Sequence, residues 1–211
     1  MPTDIPSSRK STGSEWILSV QPYAWWLVGV FAVISLTLRF APLPENFASF
    51  GALAFFCGLF LSGPARWVAP AIVLFTADTL GHFLRVPGMG FYYWPAMVLN
   101  YLGFGLMASV GACLGQWWHR SSARLATSLA SLPLGAAAGS GVFFLVSNFG
   151  AWLDPQMGYE KTLSGLVQCY EMGLPFWRST LSSDFCFGVG FPVAAWFVAS
   201  ALTRRSHRAV T

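Results

Sequence analysis

The chain has 211 residues, of which 55% are hydrophobic and only 9% charged, with a formal net charge of +4. A soluble domain carries roughly 25% charged residues, so this composition excludes an ordinary water-soluble fold and points to a single membrane-embedded bundle. The weak net charge gives no basis for a nucleic-acid partner, and the 10 Trp and 19 Phe suit lipid-facing and interfacial surface.

In chain order, residues 1–20 are polar and Ser-rich and predict a disordered cytoplasmic tail. Apolar runs follow at 22–40, 45–63, 66–84, 94–118, 126–148 and 184–202, close to the ~20 residues that a crossing requires. They predict an all-α membrane protein, a six-helix transmembrane domain over 21–203 followed by a basic tail at 204–211. The second and third runs are short and interrupted, as in tilted or partly re-entrant segments. Pro42 and Pro44 end the first run, and Asn46 is placed to cap the second. In the fourth and fifth runs, Gly111-x-x-x-Gly115 and Gly135-x-x-x-Gly139 are small-residue faces that let backbones approach. The short basic link between these runs predicts antiparallel neighbours. Cys57, Cys113, Cys169 and Cys186 show no metal-binding or redox spacing and read as small packing residues.

Six crossings put both termini on one side. With the amino terminus inside, the cytoplasmic bases are Arg9, Lys10, Arg66, Arg120, Arg124, Arg204, Arg205 and Arg208, against Arg39, Arg85, Lys161 and Arg178 outside. The positive-inside rule therefore predicts cytoplasmic termini in a bacterial inner membrane.

That orientation places residues 147–184, the longest polar and aromatic interruption, on the outer side. Residues 162–174 have helical spacing, with Leu163, Leu166, Val167, Tyr170 and Leu174 on one face, and Pro175 is placed to end or bend this amphipathic helix. Intramembrane polar residues are costly and often functional. Taken singly they have plainer roles: Asp78 in an ion pair with Arg39 or Arg85, Asn148 ending the fifth helix, Asn100 as an interhelical donor, Asp184 capping the sixth. Taken together, Arg39, Asn46, Asp78, Asn148 and Asp184 reach the outer third of the bundle beside Trp152, Tyr159 and Tyr170. Polar groups under an aromatic cover are how small-molecule pockets are built. In this reading Arg39 meets an anionic group, Asn148 and Asp184 orient the ligand, Asp78 acts from beneath, and residues 150–158 gate access.

Several motifs carry a resemblance: Arg39-Phe40-x-Pro42-x-Pro44-x-Asn46-Phe47, Asp78-x-Leu80-Gly81, Asn148-Phe149-x-x-Trp152, Tyr159-x-x-Thr162-x-x-Gly165-Leu166-x-x-Cys169-Tyr170, and Pro175-Phe176-x-x-x-Thr180-Leu181-x-x-Asp184. The chain resembles an uncharacterised family of bacterial multi-pass membrane proteins, itself similar to the substrate-binding S components of energy-coupling factor transporters. The resemblance implies a six-helix bundle that binds a solute near its outer face and works with a transmembrane coupling subunit and two ATPases. The Ala-x-x-x-Ala face through which S components meet that subunit is missing, since the first run offers Gly29-x-x-x-Val33 and Ala32.

The expected function is capture of a small solute as the specificity component of an uptake system. The alternative is a structural subunit of a cell-envelope complex. An intramembrane enzyme built on Asp78 and Asp184 lacks any G-x-G-D, H-E-x-x-H or G-x-S-x-G arrangement, so neither enzymatic activity nor a cofactor or metal is expected.

Overall fold

The structure is a computed structural model that describes residues 12–86, 89–121 and 124–210, with side chains through residue 203. The regular elements among them are helical: α1 (Gly13–Val20), α2 (Ala24–Arg39), α3 (Phe50–Phe60), α4 (Ala65–Phe83), α5 (Trp94–Ser121), α6 (Leu125–Leu153) and α7 (Leu163–Val210). Short 3-10 turns at Gln21–Tyr23 and Pro155–Met157 complete the order. Four stretches are long and apolar enough to cross a membrane: Gly13–Arg39, Trp94–Ser121, Leu125–Leu153 and Leu163–Thr203. Large apolar side chains such as Trp25, Trp26, Ile72, Phe83, Leu134 and Phe197 point outward, as lipid-facing surface requires.

The expected disordered tail is corrected over its second half. Residues 1–11 lie outside the described residues, but Thr12 opens α1 with a capping box: its hydroxyl accepts from the Glu15 N–H while the Glu15 carboxylate accepts from the Thr12 N–H. The helix then buries Trp16, Ile17 and Val20. Trp16 stacks on Trp118 with ring centroids 4.9 Å apart. A single antiparallel bridge joins Thr12 to Arg124, fixing α1 at the end of the bundle where α5 turns into α6.

The second expected crossing is also corrected. Only Phe50–Phe60 is helical, and its eleven residues span about 16 Å, roughly half of the hydrocarbon core. All eleven are buried, which makes α3 the axis of the bundle. Glycine permits this. A Cβ on Gly58 would lie 1.9 Å from the Ala108 carbonyl oxygen, and one on Gly111 would lie 2.3 Å from that of Phe55. The Gly111 and Gly115 face therefore admits α3. The expected α5–α6 pairing is present, made through Gly103 against Phe143, Gly135 against Leu114 and Gly150 against Ala96. Cys57 and Cys169 are buried, whereas Cys113 and Cys186 face outward.

The largest difference from expectation is α7. Neither Pro175 nor Asp184 marks a boundary: one helix runs from Leu163 to Val210 with Pro175 and Pro192 inside it. Each proline deprives one carbonyl of its donor, yet the ladder resumes on either side. The separate amphipathic helix is thus the first quarter of α7, and residues 204–210 continue the same helix.

Candidate functional site

The end of the bundle opposite the Thr12–Arg124 bridge is built from the C-terminal ends of α2 and α4, the start of α5 and the middle of α7. The link between α2 and α3 folds over it. Asn46 sits there at φ 59°, a left-handed conformation that Asn tolerates better than most residues. Asn46 does not cap α3; the N-cap is Ser49, whose hydroxyl lies 2.8 Å from that of buried Ser35. From α7, Thr180 Oγ1 donates to the Asn46 carbonyl at 3.4 Å and Ser183 Oγ to the Ala48 carbonyl at 2.9 Å. This link is therefore held at two points.

Beneath it lies a cavity of about 140 Å³ lined by Arg39, Asn46, Asp78, Tyr92, Asn100, Tyr101, Thr180 and Asp184, with walls from Phe50, Phe104, Met107 and Phe143. A second cavity of about 240 Å³ adjoins it, sharing Asn46, Asn100, Phe143 and Thr180, and is bounded on its far side by Asn148, Gly173, Phe176 and Trp177. The pair runs from the α6–α7 face inward to Asp184.

The two acids are treated differently. Asp78 Oδ2 accepts from the Tyr101 hydroxyl at 2.8 Å, and Arg39 acts on it through space. Asp184 is 1% exposed, and neither of its oxygens has a hydrogen-bond partner. The Ser140 hydroxyl and the Ala52 N–H face it without closing a well-formed bond, and the Ser140 hydroxyl is itself unpartnered. A Cβ on Gly51 would lie 2.3 Å from Asp184 Oδ1, so the carboxylate occupies the space that this glycine leaves. The capping role expected for Asp184 does not apply, because it lies two-fifths of the way along α7 rather than at its start.

Of the eight residues singled out in the sequence, Arg39, Asn46, Asp78 and Asp184 meet in the first cavity and Asn148 lines the second. Asn148 does not end a helix; α6 continues to Leu153, and its Nδ2 donates to the Phe144 carbonyl at 2.8 Å. Trp152, Tyr159 and Tyr170 line neither cavity. Trp152 Nε1 donates to the Glu160 carbonyl at 2.8 Å, and Lys161 both donates to the Trp152 carbonyl and sits 5.5 Å from its ring. The Tyr170 hydroxyl donates to the Leu145 carbonyl at 2.8 Å, and Cys169 Sγ to that of Asn148 at 3.3 Å. Burial pushes the Tyr159 phenol above its usual pKa. Together these contacts staple the α6–α7 hairpin.

Sequence reasoning missed Tyr92, Tyr101 and Thr180, and read Asn100 only as an interhelical donor; its Nδ2 donates to the Tyr92 hydroxyl. A signal for the α5 residues existed. Asn100, Tyr101, Phe104 and Met107 continue, at helical spacing, the small-residue stripe of Ala108, Gly111, Ala112 and Gly115 that packs inward. Among the described residues no group of three or more His, Cys, Asp or Glu is placed to hold a metal ion.

No curated protein and no solved structure gives a match to this chain. A family model does match, described as a family of unknown function (DUF6580), over residues 20–207, which is nearly the whole chain. The chain belongs to that family.

Proposed function

We propose that this is an integral membrane protein that binds a small solute at the outer end of its bundle, as the substrate-specificity component of an uptake transporter. The observation that carries this reading is the polar, aromatic-walled cavity inside the bundle with Asp184 unpartnered in its lining. Burying a carboxylate without a partner costs several kcal/mol, and a structural helix gains nothing from it. A site that waits for a ligand does.

The four stretches long and apolar enough to cross a membrane support the membrane part of this reading. In this reading the positive-inside rule, applied to the base count of the sequence, makes the cavity end the outer one. Energy for uptake would come from a transmembrane coupling subunit and ATPases on other chains. The outward face of α2 is open around Gly29, where an added Cβ meets nothing within 4 Å.

A thermal-shift screen of the purified protein in lipid nanodiscs against small polar solutes tests the proposal. Stabilisation by at least one of them, weakened by Asn46→Ala and by Tyr101→Phe, is the expected result. Stabilisation that is indifferent to both substitutions would place binding elsewhere and overturn it.

A further inference from the structure

Resting on the solute-binding reading, we infer that the inner cavity takes a compact single-ring molecule carrying a positively charged nitrogen, with Asp184 as the counter-charge. Three features of the cavity point to that chemistry. The first is size. An engineered apolar cavity of about 150 Å³ takes up benzene. The inner cavity, at about 140 Å³, therefore suits one ring, and anything longer must extend into the adjoining 240 Å³ space.

The second is charge. Arg39 and Asp78 offset one another across the upper part of the cavity, and Asp78 also has the Tyr101 hydroxyl. Asp184 is left as the acid with no counter-charge, fully buried and without a hydrogen bond to either oxygen. A cation delivered by the ligand removes the cost of that arrangement. An anionic ligand increases it.

The third is the nature of the walls, which decides between an organic cation and a metal ion. Sodium or a divalent ion takes about six oxygen ligands. At the Asp184 end the acid supplies two oxygens and neighbouring Ser140 a third; farther up, Asp78 is engaged with Tyr101 and Tyr92 with Asn100, while Phe50, Phe104, Met107 and Phe143 present carbon and sulfur. Such walls pack against a ring and favour an organic cation near aromatic faces. Met107 Cε abuts the same spot above Gly51 as Asp184 Oδ1 does, and its unbranched thioether yields at little cost to let a nitrogen approach.

The test is calorimetric titration of the full chain in nanodiscs with three compounds of one shape: benzylamine, benzyl alcohol and benzoate. Benzylamine should bind at least about tenfold more tightly than benzyl alcohol, with benzoate weakest, as expected for a desolvated charge pair. In Asp184→Asn, benzylamine should fall to the level of benzyl alcohol. The inference is overturned if benzoate or benzyl alcohol equals benzylamine on the native chain, a comparison that needs no variant. It is equally overturned if Asp184→Asn leaves benzylamine unchanged, or if sodium over potassium chloride stabilises the native chain and not that variant. Each of these outcomes leaves solute binding itself standing. If none of the three compounds binds, the single-ring cation is excluded, and the solute reading then stands or falls with the wider thermal-shift screen.

Discussion

At the residue scale, the site depends on how closely the bundle approaches two carboxylates. Gly51→Ala places a methyl group 2.3 Å from Asp184 Oδ1 and 2.8 Å from Met107 Cε, so it should cost about 1–3 kcal/mol as overpacking and weaken binding as well. Gly141→Ala, which meets nothing within 4 Å, should leave the melting temperature unchanged or slightly higher. Thermal unfolding of the two variants side by side checks both. Tyr101→Phe removes the donor to Asp78 and should lose about 1–3 kcal/mol of stability. The sequence made Asp78 and Asp184 visible because acids are conspicuous in an apolar chain. It did not make Tyr101 visible, since a tyrosine near the start of an apolar run looks like an interfacial anchor. Trp152 and Tyr170 misled in the opposite sense. Their polar atoms go to carbonyls of a tight turn and a helix, which is where buried and half-buried backbone groups find partners.

At the element scale, α3 and α7 account for the differences between pattern and fold. Hydrophobicity around residues 45–63 has nearly the length of a crossing, but length cannot distinguish a lipid-facing helix from a short one enclosed on every side. What distinguishes α3 is its pair of backbone contacts with α5. Gly58→Ala should therefore be among the most damaging single changes, because the added Cβ meets a carbonyl oxygen at 1.9 Å and backbone cannot rotate away. Loss of monodisperse protein on size-exclusion chromatography is the expected outcome; a wild-type elution profile would contradict the packing of α3 on α5. Along α7, Pro175 and the Ser182–Asp184 run resemble punctuation, and a pattern reader divides the helix there. The ladder continues past the proline, and side chains on both flanks anchor α7 to its surroundings, Tyr170 to α6 and Ser183 to the α2–α3 link. Tyr170→Phe should cost about 1 kcal/mol and raise hydrogen exchange across residues 154–162, which Trp152 and Lys161 also tether.

At the scale of the whole molecule, the all-helical class and the antiparallel α5–α6 pair were legible because composition and periodicity report directly on burial. The location of the cavity was only half legible, since it forms where five segments distant in sequence converge. The proposed orientation has the cavity end outside. With native cysteines replaced, a cysteine at residue 158 should react with an impermeant maleimide on intact cells, and one at residue 8 only after permeabilisation; the reverse pattern would invert the orientation. The central claim is that the paired cavities hold a solute, and Thr180 is one of four residues that line both of them. Native mass spectrometry of the protein released from nanodiscs, as wild type and as Thr180→Trp, addresses it most directly. The wild-type chain should carry a small-molecule adduct after incubation with a binding solute, and the chain occluded at Thr180 should not. An adduct of equal occupancy on both chains would show that the solute sits elsewhere and contradict the claim.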